Sequence, residues 1–466
     1  MGRILLWMMD GACNAHNRIA ILEYNFMTLL FPIEIGNREQ SAKIFLACKF
    51  VEQGEQCYIG TKQQIARLVH SVPTPIYFDK GYHKGVSEQL FTRINKKHGL
   101  IVSLDEENGV DLKNNNSLNH RFPNTIFGTY DLIFLWGKFQ YQFLKKNRES
   151  FNSRNVFAFG HPKFELLKYE NRKVWNAEVL QIKKIYSDYI LINSSFGLGN
   201  NILGKKFVIS NYQDRIENIK NLIVYEEKQI AHFIELVKYL DLNMELNIVF
   251  RPHPEEDIDT YKNAFLNCNR VSVIYDKSVI PWIMGCKRMI HHSCTTAIEA
   301  AMLDKNPISY GIDYDEQLIP WLPIKVSKVF NHKLELLEYI SKEDVEENSN
   351  YSQYLDDYFA FYENTTKNIV RRTLGILQEN RVRKELFSPL EFMIISNLRY
   401  FVREIMYRLK LKQKNPLLRN KIKGFNWQAV KAILKSFKHN DLVARGVQIK
   451  WINPELFLLT RKVGEK

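Results

Sequence analysis

The chain has 466 residues, 45% of them hydrophobic and 13% aromatic, which excludes a disordered polymer and supplies material for buried cores. At about 150 residues per domain, this length fits two or three globular units. The formal net charge of +14, from 65 Lys plus Arg against 51 Asp plus Glu, points to an anionic partner (nucleic acid, a membrane surface or a phosphorylated substrate) without choosing among them.

The six cysteines, from Cys13 to Cys294, show no CxxC pairing, so a zinc ribbon or thioredoxin-type site is not expected and a reduced cytoplasm fits best. No apolar run approaches the roughly 18 residues of a spanning helix. The opening "MGRILLWMMDGACNAHN" has an apolar patch too short for a secretory leader. A cytoplasmic protein, soluble or attached to a membrane surface, is expected.

From Thr28 the pattern is orderly. "TLLFPIEI" predicts a strand, "NREQSAKIFLACKFVEQG" a helix closed by Gly54, and "QCYIG" a second strand. Short apolar runs at "TPIYF", "GLIVSL", "DLIFLWG" and "NVFAFG" continue a largely parallel sheet, with "DLKNNNSLNHRFPN" as a surface loop. "FGHPKFELLKYENRKVW" suits an interdomain connector. A second series runs through "DYILINSSFG", a long helix around residues 208 to 240, "LNIVFRPHP", "VSVIY", "KRMIHHSC" and "NPISYGID". After about residue 350 the strand signal disappears and the chain is expected to be helical and basic, with "FNWQAVKAILKSFKHN" its most amphipathic piece. Two α/β domains with a cleft between them follow, at 27–165 and 176–376, with a basic helical extension at 377–466.

The chemistry gathers where predicted strands end. In "HHSCTTAIEAAML", Ser293, Thr295 and Thr296 sit at a helix start, either facing a ligand or simply capping the helix. "RPHPEED" ends another strand with Arg251, a bidentate donor, and His253, a donor whose charge responds to a bound phosphate. "LINSSFGLGN" brings Asn193, Ser194 and Gly197 after a third strand. It is neither a Walker loop nor a dinucleotide fingerprint. In the first domain, "FPIEIGNREQSAK" offers Glu34, Arg38 and Glu39. "VSLDEENG" offers Asp105, Glu106 and Glu107, either a source of a general base or a solvated turn.

Together "LLFPIEIGNRE", "LDEENG", "FGHPKFELL", "ILINSSFG", "RPHPEE" and "HHSCTTAIEAAMLDKNPISY" resemble the bacterial surface-carbohydrate biosynthesis glycosyltransferases, which have the two-domain GT-B fold. The similarity covers roughly residues 28 to 320, and residues before Met27, an alternative start, lie outside it. The acidic, His-Pro and Ser/Thr motifs also look like those of bacterial sialyltransferases and Kdo transferases, which use CMP-activated sugar acids. CDP-glycerol glycerophosphotransferases carry a similar arginine, His-Pro and serine constellation, and nucleotide-sugar 2-epimerases share the fold.

The resemblance implies a glycosyltransferase moving a sugar from a nucleotide donor, with a CMP-linked ulosonic acid as the expected donor, onto a surface polysaccharide or lipid-linked glycan. It implies Glu106 or Glu107 as the catalytic base, although Asn108 interrupts the acidic motif. It implies His253 on the donor phosphate. Asn193, Ser194, Arg251, Ser293, Thr295 and Thr296 would join it there, Glu299 would reach a ribose hydroxyl, and Glu34, Arg38 and Glu39 would lie on the acceptor side. No metal or other cofactor is expected. A CDP-glycerol-type transferase and a non-catalytic glycan-binding protein are the alternatives, and nucleic acid is not an expected partner. For the basic segment around Trp427 two readings stand: a surface resting on anionic lipid of the inner membrane face, or a helical cap packed across both domains.

Overall fold

The computed structural model of the protein describes residues 27–107, 111–112, 115–213, 216, 218–342, 351–379, 389–413 and 415–462. Six parallel strands form the first domain: β1 (Thr28–Ile33), β2 (Gln56–Thr61), β3 (Pro75–Asp79), β4 (Leu100–Leu104), β5 (Leu132–Phe134) and β6 (Val156–Phe157). Six more form the second: β7 (Tyr189–Asn193), β8 (Asn247–Arg251), β9 (Val271–Val273), β10 (Arg288–His291), β11 (Ile308–Tyr310) and β12 (Lys328–Phe330), in spatial order β12-β11-β10-β7-β8-β9. This is the GT-B arrangement, two Rossmann-like domains facing a central cleft, with a helical extension after them.

The strand sequences read as continuous apolar runs because both sheet faces are covered. Along β1, Leu29, Phe31 and Ile33 join a core that also takes in Tyr189, Leu191 and Trp282 of the second domain. Leu30, pointing the other way, joins a separate core with Tyr58, Tyr77 and Ile101. In β7 the alternation repeats, with Ile190 and Ile192 turned toward Phe233 and Phe250. One apolar core therefore bridges the domains, and each sheet has a second core behind it.

In both sheets the strand order reverses near the centre, and this reversal positions the site. β1 lies between β2 and β3, and β7 between β10 and β8. Loops leaving two such strands part to opposite faces and leave a crevice at the carboxyl edge. Around the first crevice stand Glu34 and Lys80, and around the second Asn193 and Thr296.

Three features depart from the sequence expectations. "DLKNNNSLNHRFPN" is not wholly a loop: it contains the short helix Asn116–Arg121, while Lys113 and Asn114 lie outside the described residues. The strand β12 was not anticipated. Strands also return after residue 350: β13 (Val447–Asn453) and β14 (Leu456–Arg461) form a hairpin whose second strand pairs antiparallel with β2. Gly60 permits that pairing, since a Cβ there would stand 2.5 Å from Leu456 Cδ1. The hairpin covers an edge that would otherwise be open.

The helix Trp427–His439 buries Val430, Leu434 and Phe437, with Phe437 edge-on to Phe45 at 5.7 Å and Trp427 beside Phe457 at 5.8 Å. Its apolar face is thus covered by the first domain, and Ser436 donates to the Val174 carbonyl at 2.6 Å. Just before it, the segment around Lys421 to Phe425 crosses from one domain to the other. Gln40 donates to the Gly424 carbonyl at 3.3 Å, and Lys423 Nζ to the Tyr275 carbonyl at 2.6 Å. Gly424 has φ +83°, and a Cβ on it would stand 2.0 Å from Asn37 Oδ1. Gly424→Ala is expected to destabilise the protein by at least about 1–2 kcal/mol through the left-handed backbone alone. Denaturant titration checks this, and an unchanged midpoint would show that the strap contributes nothing.

Candidate active site

The second domain's half of the cleft is built from the ends of β7, β8 and β10. Asn193 closes β7, and its Nδ2 donates to Thr296 Oγ1 at 3.0 Å across the reversal point. Its Oδ1 is buried without a hydrogen-bond partner. Thr296 in turn donates to Cys294 Sγ at 3.1 Å. Thr295 is the N-cap of the helix Thr296–Met302, yet its side chain makes no capping bond. The capping alternative therefore does not account for its hydroxyl, which lines the cleft. Ser293 has φ +46° and is buried, and it is absent from the cavity lining.

Arg251 closes β8. Its guanidinium donates to the carbonyls of Asp276 at 2.7 Å and Lys277 at 3.2 Å, and it stacks over Trp282 at 5.1 Å. Burial lowers its pKa to about 10, partly offset by Tyr275 and Asp276. Among the described residues no carboxylate comes within ion-pair distance of this buried cation, so an anion entering the cavity meets positive charge not yet neutralised. Next to it, His253 Nδ1 accepts from the Glu255 N–H at 3.3 Å, which leaves the proton of the neutral ring on Nε2. Burial, helped by Arg38 and Lys421 and opposed by Glu255, lowers the His253 pKa to about 4.

Glu256 was not singled out by sequence, yet it joins two of these loops. Its buried carboxylate accepts from Ser194 Oγ at 2.9 Å, Phe196 N at 3.0 Å, His253 N at 2.9 Å and the Tyr261 hydroxyl. The hydroxyl of Ser194 is thereby engaged in fixing the loop, although the residue lines the cavity. Arg251, His253, Asn193, Thr295, Thr296 and Glu299 converge on one cavity of about 140 Å³, which Arg38 and Lys163 reach from the opposite side.

The first domain's half is a network of charges. Glu39 is fully buried and does not face the acceptor side. It is the fourth residue of the helix Gly36–Glu52, whose N-cap Ile35 has no capping side chain. From there its carboxylate accepts from the main-chain N–H groups of Glu34 at 2.9 Å and Ile35 at 3.2 Å, a reach-back to the N-cap like that of a capping box but from one residue further into the helix. Lys43 at 3.2 Å and Lys80 at 2.9 Å neutralise it.

Glu106 is equally buried, 3.2 Å from Lys43 and 3.6 Å from His161 Nε2. Lys43 and His161 outweigh its burial and hold its carboxyl well below the usual range. Glu107 differs. Its side chain is 50% exposed and lies 3.5 Å from Arg38. Burial of its position is outweighed by Arg38, Arg121 and Lys80, which hold its pKa at about 2. Glu34, beside Lys80, Lys62 and Lys421, is likewise held at about 2 against its burial.

A second cavity of about 480 Å³ adjoins the first. Glu34, Arg38, Glu106, Glu107, Lys163, His253, Glu255, Thr295, Glu299 and Lys421 are on its walls. Two of these cations were missed. Lys163 follows His161-Pro162 directly and forms an ion pair with Glu299, so the glutamate expected to reach a ribose hydroxyl is already engaged across the domain boundary. Lys421 comes from the C-terminal extension and bridges Glu255 at 2.8 Å and Glu34 at 3.5 Å. Nothing in its local sequence marks it. Asn108 and Gly109 lie outside the described residues.

A phosphate bound beside His253 must raise the pKa of that ring, so binding takes up a proton. Affinity for a phosphate-bearing ligand is therefore expected to rise as pH falls from 6.5 toward 4.5, by at most about tenfold per pH unit. Calorimetric titration across this range tests it. A flat profile in the wild type, or a slope that survives His253→Asn, removes the proposed contact.

No family model matches the chain, and no curated protein matches it. Among solved structures it is similar to UDP-N-acetylglucosamine 2-epimerase from Rickettsia bellii, at 12% identity over 77% of this chain and 99% of that one, with a TM-score of 0.47. It is similar to UDP-GlcNAc 2-epimerase from Neisseria meningitidis at 14% identity, over 75% and 100%, with a TM-score of 0.46. A variant of the wall teichoic acid polymerase TagF gives 9% identity over 76% and 91%, with a TM-score of 0.46. The chemistry of the cleft has to be drawn from its own side chains.

Proposed function

We propose that the protein is a nucleotide-sugar-dependent glycosyltransferase whose donor phosphate sits against Arg251, His253, Asn193, Thr295 and Thr296. The observation that carries this reading is a buried arginine with no carboxylate at ion-pair distance among the described residues, sharing a cavity with the His253 ring and with the Thr295 hydroxyl, which makes no capping bond. The larger adjoining cavity takes the acceptor. Arg38 and Lys163 line both cavities, where the donor's sugar would lie between phosphate and acceptor, and a carboxylated sugar able to compete for them favours a CMP-linked ulosonic acid over a neutral donor.

In this mechanism Glu107 is the base, because its carboxylate is open to the acceptor cavity whereas Glu106 is enclosed by Lys43 and His161. The acceptor oxygen gives its proton to Glu107 and bonds to the anomeric carbon. The bond from that carbon to the phosphate oxygen breaks, and the nucleotide leaves with the electron pair while Arg251 and His253 stabilise its charge. A donor anion that draws Arg38 away from Glu107 removes its nearest counter-charge, so the base strengthens only when donor is present.

The test is a thermal-shift screen with CMP-, CDP-, UDP- and GDP-linked compounds, followed by turnover with the compound that stabilises most. A bound donor raises the unfolding temperature by mass action. Glu107→Gln is expected to lower kcat by about 10²–10⁴ while leaving that shift in place. Stabilisation only by CDP-glycerol would redirect the assignment to a glycerophosphotransferase. Sugar affinity with no nucleotide effect would make the protein a glycan binder.

A further inference from the structure

Among the described residues no helix is long and apolar enough to cross a membrane, but one helix turns its apolar face outward. The helix Leu390–Arg408 packs against the C-terminal hairpin through a largely polar face. Asn397 Nδ2 donates to the Ile452 carbonyl at 2.7 Å, Ser396 Oγ accepts from Asn453 Nδ2 at 3.2 Å, and Arg403 pairs with Glu455 at 2.7 Å. Phe392 and Met393 add a small apolar contact.

The opposite side carries Leu390, Ile394, Leu398, Phe401, Ile405 and Leu409, recurring every three or four residues and all exposed, with Leu398 and Phe401 each at 62%. Ile395, Val402 and Met406 widen the stripe. An amphipathic helix in water normally buries such a face, and a contiguous apolar surface of this extent marks a docking site.

The charge around the stripe identifies the occupant. From residue 390 to 421 the sequence holds eight Arg or Lys and two Glu. Arg399, Arg408, Lys410, Lys412 and Arg419 are exposed, flanking or continuing the apolar face. Aliphatic and aromatic side chains ringed by basic ones match the acyl boundary and headgroups of an anionic bilayer. The helix Trp427–His439 cannot serve this purpose because the first domain covers its apolar side.

We infer that the Leu390–Arg408 helix lies flat in the interface of an anionic membrane, with Leu398 and Phe401 at its deepest point. This inference is independent of the reaction proposed above. It is tested by flotation of the full chain with vesicles of phosphatidylcholine alone or mixed with phosphatidylglycerol. The protein is expected to float with the anionic vesicles only, and to be released by raising salt from about 0.1 to about 0.5 M, which roughly halves the screening length.

Leu398→Glu with Phe401→Glu is expected to reduce the partition by roughly a hundredfold with no change in unfolding temperature, both side chains being more than half exposed. Arg399→Gln with Lys410→Gln, which leaves the apolar face intact, is expected to reduce it by roughly twentyfold. Equal binding to neutral vesicles overturns the proposal, as does retained binding in either pair. So does self-association through this face without vesicle binding, seen by sedimentation velocity.

Discussion

Lys43→Met is expected to destabilise the protein by about 3–5 kcal/mol, far more than its position on an ordinary-looking helix suggests. Lys43 lies between two fully buried carboxylates, 3.2 Å from Glu39 and 3.2 Å from Glu106, and it also donates to the Pro32 carbonyl at 2.5 Å. Methionine keeps the volume and leaves both carboxylates facing each other with less compensation. Glu39→Gln should be milder, because Lys43 retains Glu106 and Lys80 retains Glu34 at 3.0 Å.

The pH dependence has a definite sign. Lys43, with Lys80 for Glu39 and His161 for Glu106, outweighs burial and depresses both carboxyls in the fold. The stability they contribute is present above the unfolded carboxylate pKa of about 4.5 and lost as pH falls through the folded values. The gap between wild type and Lys43→Met should therefore narrow below about pH 4.5. Urea denaturation at pH 7 and pH 4 measures it, and an equal gap at both would show that the effect is packing rather than charge.

His253→Ala is the second large effect, this time on activity. If the ring donates to the departing phosphate, its loss removes an interaction that strengthens as charge develops. The expected fall in kcat is about 10²–10³, or roughly 2.7–4 kcal/mol, with a smaller change in KM. The main-chain N–H of His253 still holds Glu256 at 2.9 Å, so the loop should keep its shape. Single-turnover assays separate this from a binding defect. A variant that loses affinity but turns over bound donor at the normal rate would give His253 a binding role only.

Much of the architecture could be read from the chain because buried parallel strands are written as unbroken apolar runs. "YILIN", "NIVFR" and "RMIH" each end where polar residues begin, and those ends meet in space. Which strands would be neighbours was not written locally. The pairing of Asn193 with Thr296 depends on β10 returning to lie beside β7, a choice made by packing over a hundred residues.

Charged residues were the hardest to interpret, since a carboxylate at a helix start serves equally as a ligand or as a cap. Glu34 and Glu107 reached the cavity, whereas Glu39 was drawn inward by two main-chain N–H groups and two lysines. Glu256 looked like one of several acids after Pro254, and only the fold shows that Ser194, Phe196, His253 and Tyr261 all donate to it. The hairpin Val447–Arg461 did carry a readable pattern, Val447, Ile449 and Trp451 in alternation and then four apolar residues in a row, but it followed a long helical stretch. Lys421 carried none, because its meaning arises only when the extension folds back over the cleft.

The most direct test is the position of the phosphate in a crystal structure of the protein with the nucleotide compound that stabilises it most. The account predicts that phosphate between Arg251, His253 Nε2 and the Thr295 hydroxyl, with the rest of the donor directed toward Arg38 and Glu107. A nucleotide bound elsewhere, or one whose phosphate points away from His253 and Thr295 into solvent, would contradict it.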